Sequence, residues 1–123
     1  MMGYVYIFGT VFFTVYGQIV LKWRIVKYGT LPDSFADKLL FLAKLLFDPW
    51  IFSGFFAAFV ASFFWMAAMT KFDVSQAYPI IVGGLAVLTS LFAITILKEP
   101  VSFYKILGLL LVVLGVYFLG KTA

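Results

Sequence analysis

The sequence contains neither cysteine nor histidine among its 123 residues. Without a thiol, neither a disulfide framework nor a thiolate metal site is possible. Without an imidazole, most zinc-dependent and proton-relay chemistry is also excluded. We therefore expect no metal site, and the composition argues against an enzyme.

Charged residues are also scarce, at 11% of the chain, while hydrophobic residues make up 65% and the mean hydropathy is +1.14. A water-soluble fold of this length would have no interior large enough for that much apolar surface. The composition therefore predicts an integral membrane protein. The net charge of +4 is explained by loop cations that orient the chain and contact anionic headgroups, and we expect no nucleic-acid partner.

Four nearly uncharged runs are long enough to cross a hydrocarbon core, which takes about 20 helical residues. They predict transmembrane helices at residues 4–22, 50–70, 74–97 and 102–120. The first run has no basic segment before it and no small-residue cleavage site after it, so we expect it to be retained. The predicted fold is all-α, a four-helix membrane bundle that forms a single domain over residues 1–123.

Residues 34–47, between the first two spans, predict a shorter amphipathic helix whose apolar residues share one side. This segment is too short and too charged to cross the bilayer, so we expect an interfacial helix or an amphipathic lead-in to the second span. Ser34 and Ser102 stand where N-caps are expected. Asp48 places a carboxylate at the start of the second span, and Pro49 follows it in a position that suits the first helical turn.

The basic residues are divided unevenly between the two sides that four spans define. Two of the nine, Lys71 and Lys121, fall on the N-terminal side. The other seven fall in or beside the first and third loops: Lys22, Arg24, Lys27, Lys38, Lys44, Lys98 and Lys105. Because cytoplasmic loops are enriched in Lys and Arg, we expect both termini on the non-cytoplasmic side and one fixed orientation for each chain.

The acidic residues all fall in predicted loops or at helix ends: Asp33, Asp37, Asp48, Asp73 and Glu99. An exporter that exchanges protons for organic cations normally needs an ionisable group within the bilayer. The sequence places no carboxylate at that depth, which argues against proton-coupled cation export.

The first span carries a polar stripe, with spacings of three and four residues that place on one helix face Thr10, Thr14, Gly17, Gln18 and Lys22. These side chains either bond neighbouring helices and backbone or line a groove that takes a polar headgroup. In the groove interpretation, Thr14 and Gln18 hydrogen-bond the headgroup, while Lys22 and Arg24 attract a phosphate at the cytoplasmic rim. Both cations are also explained as anchors that reach the membrane surface, and for Lys22 the two interpretations carry equal weight.

The third span begins with polar groups and a backbone break: Ser75, Gln76, Tyr78 and Pro79, followed by Gly83 and Gly84. A proline frees a carbonyl that must be satisfied within the protein. This stretch should therefore face the bundle interior or a cavity, unless it is only a kink. On the fourth span, Gly108 and Gly115 lie seven residues apart, a spacing that suits close helix packing in a dimer.

Three motifs follow one another along the chain: Thr-Val-Tyr-Gly-Gln at 14–18 with Lys22, Ala-Tyr-Pro at 77–79, and Lys-Glu-Pro-Val-Ser at 98–102. In their order and spacing they resemble the four-helix members of the drug/metabolite transporter superfamily. The chain is most similar to the small subunits that flip aminoarabinose-phosphoundecaprenol across the bacterial inner membrane. The resemblance implies a cofactor-free subunit that translocates a polyprenyl-phosphate-linked sugar, as a homodimer or as a heterodimer with a similar small membrane subunit.

A more distant similarity is to the small multidrug resistance family, whose fourth-helix dimerisation motif resembles the segment around Gly108 and Gly115. The membrane glutamate of that family would fall on Thr14, and its third-helix tryptophan would fall on Ile81. Neither is present. The similarity therefore implies a shared fold but disfavours proton-coupled drug export.

Three functions remain open from the sequence. The leading hypothesis is a flippase subunit for a lipid-linked sugar, in which Tyr78 joins Thr14 and Gln18 at the headgroup and Glu99 stabilises its loop or meets an amino-sugar. The second is a carrier of small cations or metabolites, which needs no polyprenyl tail. The third is a non-transporting accessory subunit beside a larger membrane enzyme.

Overall fold

The computed structural model describes residues 2–121, which fold as helices joined by short turns and loops. Helix α1 spans Met2–Ile25 and continues into a single 3₁₀ turn at Val26–Tyr28. The remaining helices are α2 (Phe35–Leu45), α3 (Pro49–Ala68), α4 (Val74–Thr95) and α5 (Phe103–Gly120). No strand occurs within residues 2–121. The all-α prediction is therefore confirmed.

Helices α1, α3, α4 and α5 are the four predicted spans, and each is long and apolar enough to cross a membrane. The chain is a multi-pass membrane protein. Helix α1 runs three residues past its predicted end at residue 22, because charged residues mark where a helix leaves the hydrocarbon and do not stop it. Helices α3 and α4 each end two residues early, in the turns that begin the next connection.

The predicted amphipathic helix is present as α2, but its cap differs from the prediction. Ser34 has the extended backbone of an N-cap, yet its hydroxyl accepts no hydrogen bond from the helix. Because this segment is exposed, water can serve the first N–H groups. The predicted cap at Ser102 is confirmed, since its hydroxyl oxygen accepts the Lys105 N–H at 3.1 Å.

Helix α1 is the centre of the bundle, because it packs against both α3 and α4. Its pairing with α3 is antiparallel and close at Gly17 and Gly54, where a Cβ added to Gly17 would lie 2.8 Å from the Gly54 carbonyl oxygen. The main apolar core forms where α1 meets the end of α3 and the first half of α4, and comprises Ile7, Val11, Val15, Ala68 and Ile81. Small residues at the crossing allow the two backbones to approach.

Helix α5 is attached mainly to α4 and buries none of its described residues. The contact forms at Gly83, where an added Cβ would lie 2.2 Å from a methyl carbon of Val116. Gly108 and Gly115 face open space, since a Cβ added at either residue would meet no atom within 4 Å. The outer face of α5 is therefore free for lipid or for another chain.

The two ends of the bundle differ in charge. The ends of α1 and α4 and the starts of α3 and α5 lie together, and with their loops they carry the seven cations assigned above to the first and third loops. We call this the basic end. The opposite end, which contains the turn between α3 and α4, is called the far end.

The close approach of α1 and α3 can be tested with Gly17→Ala. The new methyl group would sit too near the Gly54 carbonyl oxygen, so the helices must separate, and overpacking of this kind costs about 1–3 kcal/mol. We expect a lower Tm for the protein in detergent.

Gly115→Ala is the matched control, because nothing lies within 4 Å of the added Cβ. It should leave the Tm of the monomer unchanged. Equal melting of the two variants would show that the backbones of α1 and α3 do not touch.

Candidate functional site

A cavity of about 200 Å³ lies between α1 and α3, in the half of the bundle nearer the basic end. It is lined by Thr14, Gly17, Gln18, Leu21, Ile51, Gly54, Phe55 and Ala58. Thr14 and Gln18 are the polar members of this lining. Two of the residues predicted from the polar stripe therefore share one cavity, in walls that are otherwise apolar.

Gln18 also connects α1 to α4. Its Oε1 accepts a hydrogen bond from the Thr89 hydroxyl at 3.0 Å. No partner for the Gln18 Nε2 occurs among the described residues, so the amide retains donors for a ligand. The sequence hypothesis placed Tyr78 of the third span, α4, beside Thr14 and Gln18, but the second wall of this cavity is the second span, α3. The contact between Gly17 and Gly54 draws α3 against the stripe.

The structure places Thr10 and Tyr78 away from this cavity. Thr10 is buried, and its hydroxyl donates to the Tyr6 carbonyl oxygen at 2.9 Å, one turn earlier in the same helix. Tyr78 lies at the far end, with its ring edge-on to Trp65 at a centroid distance of 5.9 Å. Eleven residues of α4 separate Tyr78 from Thr89, which is about 16 Å of helix. Tyr78 therefore does not reach a group held at Gln18.

Lys22 and Glu99 lie at the basic end with free charged groups. Lys22 is exposed and follows Gln18 by one helical turn. Glu99 is half-buried, and its backbone N–H donates to the Ala93 carbonyl oxygen at 3.1 Å. In the part of the chain that the structure describes, neither the Lys22 ammonium nor the Glu99 carboxylate has a hydrogen bond or a salt bridge.

Arg24 is held in a cluster that the sequence did not predict. Its Nη2 and Nε donate to Oδ2 of Asp48 at 2.7 and 3.2 Å, and the Tyr28 hydroxyl donates to the same oxygen. The other carboxylate oxygen, Oδ1, accepts the backbone N–H groups of Trp50 and Ile51 at 2.9 and 3.2 Å. The predicted helix start at Asp48 is thus confirmed, and the Asp48 carboxylate both caps α3 and fastens α1 to its start.

Asp48 is only 5% exposed, yet its hydrogen bonds keep it charged. The Arg24 guanidinium, followed by the Tyr28 hydroxyl, holds the pKa of the Asp48 carboxyl well below its ordinary value. The two backbone N–H groups act in the same direction. Burial alone would raise this pKa, so the five donated hydrogen bonds outweigh the loss of hydration.

Aromatic rings and cations surround this cluster. The rings of Trp23 and Trp50 meet edge-to-face at a centroid distance of 5.6 Å. The Lys27 ammonium lies 4.6 Å from the Trp23 ring centroid and the Arg24 guanidinium carbon lies 5.2 Å from it. Tryptophan with Lys and Arg is the composition typical of a membrane–headgroup boundary. The cavity therefore lies near a rim suited to anionic headgroups.

Known proteins with similar sequences identify the family of this chain. A protein of Pseudomonas paraeruginosa named "Probable 4-amino-4-deoxy-L-arabinose-phosphoundecaprenol flippase subunit ArnE" is 30% identical over 119 residues, which cover 93% of each chain. The ArnE protein of Pseudomonas aeruginosa is 29% identical over the same coverage. The chain belongs to this family of flippase subunits. The protein named as subunit ArnF in Aeromonas hydrophila is 28% identical over 120 residues, which cover 96% of this chain and 79% of the relative.

No protein-family model and no solved structure matches the chain. The family assignment rests on the sequence relatives, which bear the names of both flippase subunits, ArnE and ArnF. It confirms the resemblance expected from the three motifs. A flippase subunit is a transport protein, so the cavity and its rim are interpreted below as a binding site for transport.

The Asp48 cluster predicts a specific dependence of stability on pH. Because the pKa of Asp48 is lowered by folding, its contribution to stability is full above the ordinary carboxyl pKa of about 4 and is lost as the pH falls toward the folded-state value. Asp48→Asn removes this dependence and lowers the Tm at pH 7. We expect wild-type Tm to fall more than that of Asp48→Asn between pH 6 and pH 3.

Thermal melting in detergent across that pH range checks the expectation. Asp37→Asn is the control, since Asp37 lies in the exposed first turn of α2. If Tm falls by the same amount between pH 6 and pH 3 in wild type and in Asp48→Asn, the ion pair is ruled out as a source of stability.

Proposed function

We propose that this flippase subunit acts in a bacterial inner membrane and translocates a polyprenyl-phosphate-linked sugar of the aminoarabinose-phosphoundecaprenol type. The observation that carries the proposal is the cavity that Thr14 and Gln18 line, one helical turn from the exposed Lys22 at the basic end. The relatives are named for this substrate, and the site offers groups that match its sugar and phosphate.

The cavity size supports a headgroup as its occupant. At about 200 Å³ it is smaller than the ~300–1,000 Å³ typical of sites for drug-sized ligands. A single sugar ring is the larger polar part of the proposed lipid, and a long polyprenyl tail would stay in the bilayer. Gln18 Nε2 and the Thr14 hydroxyl would hydrogen-bond the sugar, since both are at the cavity wall.

The phosphate would be met at the basic end. Lys22 supplies an ammonium that has no partner within residues 2–121, and phosphate hydrogen bonds to such cations are strong. Arg24 is already bonded to Asp48 through Nε and Nη2, which leaves Nη1 for an anion. The free carboxylate of Glu99 would pair with the amino group of an amino-sugar, and Tyr78 would contact the headgroup later, at the far end.

A second subunit would complete the path. Helix α5 buries none of its described residues, and the open surface at Gly108 and Gly115 permits close packing with another helix. The partner in the proposal is a second copy or a similar small membrane subunit. The uneven distribution of Lys and Arg supports an arrangement with both termini outside the cytoplasm.

The orientation is testable because the chain has no cysteine, so one introduced thiol is the sole target of a maleimide. Thr30→Cys and Thr70→Cys form a matched pair, since both positions are exposed and lie at the basic end and the far end. A membrane-impermeant maleimide should label Thr70→Cys in spheroplasts and Thr30→Cys only after permeabilisation. The reverse pattern would place the termini in the cytoplasm.

Transport is tested in proteoliposomes by measuring movement of a polyprenyl-phosphate aminosugar between leaflets. A hydrogen bond to a charged group contributes about 1.5–3 kcal/mol, so Lys22→Ala should slow transport at least about tenfold. Gln18→Ala should also slow it, and Lys44→Ala, at an exposed site on α2, should leave it unchanged. Glu99→Gln with full transport would remove Glu99 from the mechanism.

Other outcomes separate the alternatives. Equal rates for a soluble cation without a polyprenyl tail would favour the metabolite carrier. No transport by a folded sample, recovered when a second small subunit is added, would establish a heterodimer. No transport in either case would favour an accessory subunit.

A further inference from the structure

Gln76 is a buried polar residue that the site described above does not use. It lies in the first turn of α4, at the far end, and is 8% exposed. Thr10 and Asp48, the other buried polar residues described, have hydrogen-bond partners. The Gln76 Nε2 has none within residues 2–121. An unpaired buried amide is costly and calls for an explanation.

The residue beside Gln76 offers a complementary acceptor. Pro79 lies inside α4 and has no backbone N–H, so the Ser75 carbonyl oxygen lacks the donor that a regular helix would supply. The start of α4 therefore combines a side-chain donor without an acceptor and a carbonyl without its usual donor. A hydrocarbon chain in this place would leave both groups unsatisfied.

The two groups together call for a ligand that both accepts and donates hydrogen bonds, and a hydroxyl group does both. A phosphate offers acceptors only, and an ammonium offers donors only. The exposed residues Ser75 and Tyr78 flank Gln76 in sequence, so polar side chains border the buried amide. The chemistry therefore favours the sugar part of a lipid-linked sugar over its phosphate.

We propose that Gln76 and the Ser75 carbonyl form a second headgroup-binding position, which takes sugar hydroxyl groups at the far end of the bundle. This inference rests on the proposed function and adds where the sugar is held after it leaves Gln18. Thirteen residues of α4 separate Gln76 from Thr89, the partner of Gln18, which is about 20 Å of helix. The two positions therefore lie near opposite membrane surfaces.

The three tryptophans allow the far end to be observed alone. Trp23 and Trp50 are in contact at the basic end, while Trp65 packs against Tyr78, two residues from Gln76. Replacing Trp23 and Trp50 with Phe leaves Trp65 as the single indole. Its fluorescence then reports ligand binding at the start of α4.

The test titrates this single-tryptophan protein with a short-chain polyprenyl-phosphate aminosugar, and in parallel with the same polyprenyl phosphate without sugar. Gln76→Met is the informative variant, since it keeps the side-chain length and removes the unpaired amide, so Tm should be unchanged or higher. We expect the aminosugar lipid to change Trp65 emission, with an apparent Kd about tenfold weaker in Gln76→Met. The lipid without sugar should produce little change.

The inference is overturned if Gln76→Met binds as tightly as its parent, or if the lipid without sugar gives the same response. The leaflet-transport assay distinguishes a failure of this inference from a failure of the proposed function. Transport that depends on Gln18 but not on Gln76 defeats the second position alone. A folded parent that neither binds nor moves the aminosugar lipid, with or without a partner subunit, defeats the proposed function and this inference with it.

Discussion

The backbone contact between α1 and α3 at Gly17 and Gly54 determines the arrangement of the whole basic half of the bundle. In a bilayer, lipid tails are as apolar as leucine, so helices associate through close packing and hydrogen bonds. A Cβ on Gly17 would lie 2.8 Å from the Gly54 carbonyl oxygen, so this contact requires glycine. With the two backbones in contact, the residues on either side of the glycines line the cavity that contains Thr14 and Gln18.

The same contact explains why a charged residue can be buried at the start of α3. Removing a carboxylate from water is unfavourable unless its oxygens are fully hydrogen-bonded, and the five donors on Asp48 come from α1, the 3₁₀ turn and α3 itself. They converge only if α1 and α3 have the correct register. The glycine contact and the Asp48 cluster therefore support each other, one by shape and the other by directional bonds, and together they hold Arg24 beside the cavity rim.

Hydropathy and charge were sufficient to predict the spans, the short amphipathic helix before the second span and the helix start at Asp48, because these depend on local sequence and on the bilayer thickness. Helical periodicity also placed Thr14 and Gln18 on one face. It could not identify the helix opposite that face, since this depends on glycines that are far apart in the chain. For the same reason the pairing of Arg24 with Asp48 was missed. An acidic residue in a strongly basic loop was the one available signal, and the unpaired amide of Gln76 was beyond any local pattern.

Polar groups are widely spaced along α4, and this spacing gives a physical reason why the small proteins of this family are named as subunits. Between Thr89 and the start of α4, the helix presents apolar residues and Gly83–Gly84, and Gly83 is covered by Val116 of α5. Thr10, at the corresponding depth of α1, donates its hydroxyl to its own helix. A sugar that moved along this chain alone would lose its hydrogen bonds over the stretch between Thr14 and the start of α4, and such unpaired polar groups are strongly unfavourable in hydrocarbon. A second chain that brings its own polar groups or water to this middle region would remove that barrier, and the surface of α5 leaves room for one.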